Sequence, residues 1–169
     1  SGLHSDEYCQ CSRVLEHPEV SEELGRMLAD RFRKQEVDVV VSPAIGGIII
    51  GYEVARALGV RSVFAERGAD GTMTLRRGFS VAPGERALVI EDVVTTGGSV
   101  KEVASLLEEA GAEIVAFGFI MDRSRSPLDL PAPAEALLAG RKMRTYRPDS
   151  CPLCEAGVAI EKPGSRPGE

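Results

Sequence analysis

Two adjacent carboxylates and a group of hydroxyls lie between an apolar run and a segment with helical spacing. Glu91 and Asp92 follow the apolar run, and residues 95–99 supply three hydroxyls and two glycines. Paired acids can bind Mg²⁺, hold a sugar diol, or act as acid and base. Backbone N–H groups at a helix start bind phosphate. We therefore predict a phosphate cradle with two acids at its edge; the alternative is a solvated strand end with two charges.

The pattern of this loop argues against two common nucleotide sites. Residues 91–99 lack the Gly-x4-Gly-Lys pattern of loops that hydrolyse ATP or GTP. They also lack the Gly-x-Gly-x-x-Gly pattern of dinucleotide sites. Two acids for a ribose diol, followed by a cradle for its 5-phosphate, indicate a phosphoribosyl site.

The elements that must position this loop alternate between strands and helices. Residues 86–90 resemble a central parallel strand buried on both faces, and 100–110 a helix. Two further strands, 37–43 and 112–121, end in the polar or small segments 44–47 and 122–125. The other predictions are helices at 19–34 and 48–58, a strand at 60–65, a protruding hairpin or mobile loop at 66–84 with short strands at 73–75 and 79–81, and weak strands at 134–138 and 143–146. This order predicts an α/β fold with a largely parallel sheet flanked by helices, whose polar loops meet at one edge.

Size and charge limit the class of protein. The chain has 169 residues and a formal net charge of −6, so we expect one domain that binds neither nucleic acid nor an anionic membrane. It has no apolar run near the roughly 20 residues of a membrane span, and its first residues do not show the charged, then apolar, then small-residue pattern of a signal sequence. We therefore expect a cytoplasmic protein.

The chain begins without Met at Ser1, so we expect residues to be missing upstream, and we expect 162–169 to be an irregular polar tail.

Four cysteines form two close pairs. Cys9 and Cys11 lie near the start of the chain, and Cys151 and Cys154 near its end. They could bind zinc if the two ends met in space. Reduced thiols without a metal are the simpler interpretation, and disulfides are disfavoured in a reducing compartment.

Residues 89–99 resemble the phosphoribosyl pyrophosphate signature of type I phosphoribosyltransferases. The flanks resemble bacterial and archaeal orotate phosphoribosyltransferases over the segments 1–5, 11–18, 42–47, 76–79, 151–154 and 161–166. This resemblance implies the type I fold over residues 1–169. It also implies a reaction of pyrimidine biosynthesis with phosphoribosyl pyrophosphate as the donor of the phosphoribosyl group. In this reaction orotate N1 displaces pyrophosphate from C1 of the donor, in the presence of Mg²⁺, to give orotidine 5′-monophosphate.

The resemblance also implies the roles of individual residues. The catalytic residues would be Glu91, Asp92 and Arg67. Orotate would be bound by Thr95, Arg123 and Tyr8. The donor would be bound by the residues of three segments, namely Ala44, Ile45, Gly46 and Gly47; Arg67, Arg76 and Arg77; and Glu91, Asp92, Val93, Val94, Thr95, Thr96, Gly97, Gly98 and Ser99. Mg²⁺ would be held mainly through the substrate, with Asp92 as the candidate protein ligand. The chemistry needs no covalent nucleophile, so we assign no catalytic role to His4, Cys151 or Cys154.

The chain differs from better-known family members in the positively charged residues of two loops. Better-known family members carry lysines and a histidine in the mobile loop and one lysine in the pyrophosphate loop, where this chain has Gly46. Arg67, Arg76 and Arg77 are the cations that remain to neutralise pyrophosphate. The resemblance implies a homodimer in which loop 66–78 reaches the neighbouring site. Two alternatives stay open, a phosphoribosyltransferase for a purine or another base, and a regulator that senses the donor without catalysis.

Overall fold

A six-stranded sheet lies at the centre of residues 11–140 in the computed structural model, which describes residues 2–140 and 144–161. The strands are β1 Val39–Pro43, β2 Arg61–Arg67, β3 Met73–Leu75, β4 Arg86–Val94, β5 Glu113–Asp122 and β6 Ala134–Leu138. The helices of this unit are α1 Ser12–Leu15, α2 Pro18–Asp30, α3 Gly47–Leu58 and α4 Gly98–Glu109. The described residues within 2–10 and 144–161 form a second unit, with a 3₁₀ turn at Pro148–Ser150 and α5 at Pro152–Glu155.

The strand order is β3-β2-β1-β4-β5-β6, and every neighbouring pair is parallel except β2 and β3. The predicted fold class is therefore confirmed. From β1 the chain first adds β2 on one side, and it later returns to place β4 on the other. The crevice at such a reversal, outside the carboxyl ends of the strands, is where open α/β sheets bind ligands. The prediction of one domain over residues 1–169 stays a prediction.

The core lies on both faces of β1 and β4. Residues 39–41 and 87–90 are fully buried, as expected of central parallel strands. Because side chains alternate along a strand, Val39 and Val41 pack with the apolar residues of α4 on one face. On the other face, α3 lies over Val40 through Gly51, and α2 packs on α3 where Gly25 meets Glu53.

Helix α2 is shorter than predicted. It ends at Asp30, whereas the sequence pattern extends to residue 34. The backbone N–H groups of Arg31 and Phe32 donate to the carbonyls of Leu28 and Ala29, so the chain tightens into turns there. This turn directs the buried Phe32 ring towards β5, where it lies beside Gly118.

The hairpin forms with a different partner from the one predicted. β3 pairs with β2 in antiparallel register, with Ala65 opposite Leu75, and the predicted strand at 79–81 is absent from the described residues. Arg77 and Gly78 both have positive φ, 58° and 79°, and turn the chain away from the sheet. Phe79 then packs edge to face on Phe64, with 5.0 Å between ring centroids.

The weak strand predictions have different outcomes. Residues 134–138 form β6, parallel to β5. Of the segment 143–146, residue 143 lies outside the described residues, and Tyr146 forms an isolated antiparallel bridge with His4. The predicted tail 162–169 also lies outside them. None of the helices in the described part of the chain is long and apolar enough to span a membrane.

We expect Gly118→Ala to destabilise the protein. An added Cβ would lie 2.6 Å from Ile90 Cδ1 and 2.8 Å from Phe32 Cε2, closer than side chains pack. Overpacking of this kind lowers the free energy of unfolding by about 1–3 kcal/mol. Denaturant unfolding measures the change. Gly98→Ala is the matched control, because its Cβ would have no neighbour nearer than 3.8 Å, and an equal loss in both variants would contradict this account of the core.

Candidate functional site

The two acids lie inside β4 rather than in a loop after it. The strand continues to Val94 because its last residues keep pairing with β5, with Glu91 opposite Phe119 and Val93 opposite Met121. The predicted strand end at residue 90 is therefore wrong by four residues. Adjacent residues of a strand point to opposite faces, so a ligand that contacts both carboxylates must lie across the carboxyl end of β4.

Burial raises the pKa of both acids. For Glu91 burial is the larger cause and the nearby Asp92 charge the smaller, and together they raise the pKa to about 9. The pKa of Asp92 is also raised by burial, while the hydrogen bond from the Val93 N–H opposes that rise. This bond joins Val93 N to Asp92 Oδ1 at 2.8 Å. Neither carboxylate is a solvated surface charge, so the interpretation of a bare strand end loses support.

Asp92 faces the loop that follows β1. A Cβ placed on Gly46 would lie 2.7 Å from Asp92 Oδ1, so Asp92 and the backbone of this loop are in close contact. Gly47 is similarly confined, because its Cβ would lie 3.0 Å from the Ile90 carbonyl oxygen. The peptide bond between Ala44 and Ile45 is cis. The structure thus brings the predicted pyrophosphate loop, 44–47, to one of the predicted catalytic acids.

The predicted phosphate cradle is a turn followed by a helix. Gly97 adopts a left-handed conformation with φ 78°, which glycine tolerates, and α4 begins at Gly98. The first N–H groups of a helix have no partner within it, and no described side chain caps them here. Thr95 and Thr96 are exposed, so hydroxyls and free N–H groups are available together. This arrangement suits a phosphate monoester.

Arg123 lies beside the end of β4. Its backbone N–H donates to the Val94 carbonyl at 2.9 Å, which places Arg123 next to the start of the cradle. Its Nε is buried and has no hydrogen-bond partner among the described residues. A buried donor without a partner is costly, and binding an anion removes that cost.

The predicted arginines of the hairpin are held in ion pairs. Arg67 contacts Glu102 of α4 at 2.6 Å and donates to the Gly71 carbonyl at 2.7 Å. The hydrogen bond with Glu102 raises the pKa of Arg67. Arg77 and, at 4.0 Å, Arg76 pair with Glu66. Sequence reasoning did not identify Glu102 as the partner of Arg67, because the spacing of 35 residues carries no local signal.

The predicted site residues therefore separate into three groups. Segments 44–47 and 91–99 and residue Arg123 meet at the carboxyl ends of β1, β4 and β5. The three arginines lie along the hairpin. Tyr8 is 52% exposed and belongs to the other unit, so its contact with orotate stays a prediction.

Comparison with known proteins places the chain in a family. The phosphoribosyl transferase domain model matches residues 10–135. Orotate phosphoribosyltransferase from Caldanaerobacter subterraneus subsp. tengcongensis is 51% identical over 166 residues, which are 98% of this chain and 86% of that protein. The enzyme of the same name from Pelotomaculum thermopropionicum is 54% identical with the same coverage. The chain belongs to the orotate phosphoribosyltransferase family.

Solved structures of the wider family share the fold of this family member. Adenine phosphoribosyltransferase from Thermoanaerobacter pseudethanolicus superposes with a TM-score of 0.70 at 20% identity, covering 79% of this chain and 88% of that one. Orotate phosphoribosyltransferase from Mycobacterium tuberculosis gives a TM-score of 0.68 at 21% identity, with 82% and 81% covered. These structures support the fold and leave the acceptor base open.

We expect the free energy of unfolding of substrate-free Glu91→Gln to increase relative to that of the wild type as pH rises. The pKa of Glu91 increases from an ordinary 4.5 to about 9 on folding, so between these values the folded state holds a proton that the unfolded state has released. The free energy of unfolding of the wild type therefore falls with pH across that window. Urea unfolding without substrate should show the Gln variant gaining on the wild type from about pH 5 to about pH 9.

The exposed Glu108 provides the matched control. Glu108→Gln should follow the wild type at every pH. If Glu91→Gln follows the wild type as well, the Glu91 side chain is not buried in the manner described.

Proposed function

We propose that this family member transfers the phosphoribosyl group of 5-phosphoribosyl 1-pyrophosphate to orotate, giving orotidine 5′-monophosphate and pyrophosphate. The relatives that carry this name are 51–54% identical over nearly the whole chain. The observation that carries the choice of acceptor is the buried, unpartnered Nε of Arg123 beside the phosphate cradle. A guanidinium fork matches a carboxylate in the plane of a ring, which orotate has and which uracil and the purines lack.

Glu91 and Asp92 act on the ribose of the donor. Their carboxylates accept hydrogen bonds from the ribose hydroxyls and stabilise the positive charge that develops on the sugar as pyrophosphate leaves. Burial strengthens this interaction, because a charge in a site of low dielectric constant is poorly screened by water. The raised pKa values mean that Glu91 is protonated in the empty site and that a nearby cation favours its ionised form.

The two loops at the reversal of strand order bind the two ends of the donor. Thr95, Thr96 and Ser99, with the first N–H groups of α4, hold the 5-phosphate. Residues 44–47 hold the pyrophosphate through backbone N–H groups, which the small side chains leave accessible. The contact between Gly46 and Asp92 fixes the position of the pyrophosphate-binding loop relative to the ribose-binding acids.

Orotate, the acceptor base, lies beside the carboxyl end of β5. Arg123 binds the orotate carboxylate, and Thr95 contacts the base. In this arrangement orotate N1 attacks C1 of the ribose as the bond to pyrophosphate breaks, the pyrophosphate leaves with both electrons of that bond, and the proton lost from N1 passes to a pyrophosphate oxygen. No residue of the chain forms a covalent intermediate.

The residues of the site fit Mg²⁺. Carboxylate and phosphate oxygens are its preferred ligands, and Asp92 faces the pyrophosphate loop through Oδ1. Mg²⁺ would be held mainly through the diphosphate of the substrate, with Asp92 as the candidate protein ligand. When bound, it supplies stabilisation of the negative charge on the leaving group.

The hairpin supplies the remaining cations. Arg67 reaches pyrophosphate if its ion pair with Glu102 opens, and Arg76 and Arg77 lie further along the same loop. We also propose a cytoplasmic homodimer in which loop 66–78 reaches the neighbouring site, as the family resemblance implies. Residues 1–169 then act as one phosphoribosyltransferase domain.

An acceptor assay tests the function. The full chain is incubated with 5-phosphoribosyl 1-pyrophosphate, Mg²⁺ and one of orotate, uracil, adenine or hypoxanthine, and nucleotide formation is followed by chromatography. We expect product with orotate alone. Turnover with a purine and none with orotate would contradict the proposed acceptor, and binding of the donor without turnover on any base would favour a regulatory protein.

Asp92→Asn should lower turnover with orotate by at least about 100-fold, since removing one electrostatic contact to a developing charge has effects of this size. The fold should persist, because Asn keeps the shape of Asp92. Asp38→Asn is the matched control, since Asp38 is exposed at the opposite edge of the sheet, where it accepts a hydrogen bond from the Arg86 N–H. Turnover of Asp92→Asn at the level of Asp38→Asn would refute the ribose role.

A further inference from the structure

Three metal-binding side chains lie together in the unit that holds both ends of the chain. The ligand atoms of His4, Cys151 and Cys154 are all within 4.8 Å of one another. His4 Nδ1 lies 3.1 Å from Cys154 Sγ. The two cysteines have C-x-x-C spacing, and His4 reaches them from 150 residues away in the sequence. None of these residues has a role in the proposed transferase reaction.

The backbone holds the cluster from both sides. His4 and Tyr146 exchange two hydrogen bonds, of 2.9 and 2.8 Å, and Ser5 Oγ donates to the Arg144 carbonyl at 2.7 Å. An ion pair of 2.7 Å between Asp6 and Arg144 extends this contact. The N-terminal segment is therefore fixed in register against the C-terminal one, and His4 is placed by main-chain bonds rather than by its own side chain.

The C-x-x-C segment is wound into a short helix. α5 begins directly after Cys151, and the Glu155 N–H donates to the Cys151 carbonyl at 3.1 Å. The Gly157 and Val158 N–H groups close the next turn onto Cys154 and Leu153. This winding turns both thiols towards His4, and Cys151 is buried with 1% of its surface exposed.

The separations suit one tetrahedral ion. With Zn–S near 2.3 Å and Zn–N near 2.05 Å, ligand atoms around tetrahedral zinc lie about 3.6–3.8 Å apart. The separations in the cluster, from 3.1 Å to at most 4.8 Å, bracket that range. Two thiolates with one imidazole are ligands that zinc binds well, whereas Mg²⁺ prefers oxygen.

We propose that His4, Cys151 and Cys154 bind a structural zinc ion that fastens the N-terminal segment to the C-terminal segment. In the sequence, zinc binding by the four cysteines was the alternative to reduced thiols without a metal. In the structure the imidazole of His4 joins one cysteine pair, and Cys9 is not part of the cluster. None of the three ligands has a role in the proposed reaction, so this test does not depend on the proposed function.

Two other interpretations use the same residues. The first is an ordinary hydrogen bond between an imidazole and a thiol with no metal. The second is a redox-active cysteine pair, which C-x-x-C spacing also permits. None of the four cysteines, all of which the structure describes, is in a disulfide. The third ligand atom favours zinc over both, because neither alternative requires the three groups to converge.

Metal analysis of the full chain tests the proposal. Protein is produced with added zinc, purified under reducing conditions without chelator, and analysed by mass spectrometry of the elements. We expect about one zinc ion per chain. His4→Gln and Cys154→Ser should lose most of it. His17→Gln is the matched control and should keep it, since His17 is the only other histidine and is exposed.

Cobalt gives a second measurement that does not rely on a variant folding. The wild type is stripped of metal, reconstituted with Co²⁺ and examined for thiolate-to-cobalt charge-transfer absorption. We expect this absorption in the wild type, and a fall in the melting temperature when the metal is removed. Wild-type protein that is free of zinc and shows no such absorption with Co²⁺ would overturn the proposal, as would full zinc content in both His4→Gln and Cys154→Ser.

The same metal measurement finds the fourth ligand. Structural zinc is almost always four-coordinate, and the cluster provides three groups. Loss of zinc in Cys9→Ser supports the site and identifies that thiolate as the fourth ligand. Retention in Cys9→Ser, with loss in Cys154→Ser, supports the three-residue site with water in the fourth position.

Discussion

The contact between Asp92 and Gly46 is the constraint on which the candidate active site depends. β1 and β4 are neighbours only because the strand order reverses between them, and the loops at their carboxyl ends therefore face each other. With no room for a Cβ at residue 46, the backbone of one loop lies against the carboxylate of the other strand. A ligand that spans both loops thus has its two ends positioned by a single packing contact.

Burial of the two acids sets the energetics of that site. Carrying Glu91 and Asp92 into the sheet raises the pKa of both, so the empty site is less stable than an apolar strand would be. That cost is useful in a reaction that develops positive charge on a sugar. A carboxylate destabilised by burial gains most from a cation placed beside it, and the gain is greatest in the transition state. In the proposed reaction, the stability lost by burying these acids in β4 is recovered as positive charge develops on the ribose.

Patterns within single elements could be predicted from the sequence, and contacts between distant elements could not. The apolar runs and the hydroxyl- and glycine-rich loop indicated the parallel sheet, the cradle and its acids. The end of β4 was wrong because pairing with β5, not hydrophobicity, decides where a strand stops. Similarly, Arg67 with Glu102 and His4 with Cys154 are joined only by the fold. The two residues of each pair are 35 and 150 positions apart in the sequence, so no local pattern indicates either contact.

The distribution of positive charge links the hairpin to the site. The proposed reaction releases a highly charged pyrophosphate, yet the pyrophosphate loop carries Gly46 where better-known family members have a lysine. Arg67, the first cation of the hairpin, is bound to Glu102 on the helix that begins at the cradle. Opening the ion pair with Glu102 would free the Arg67 guanidinium to bind the pyrophosphate of the donor. The same ion pair holds the hairpin against α4 when the site is empty.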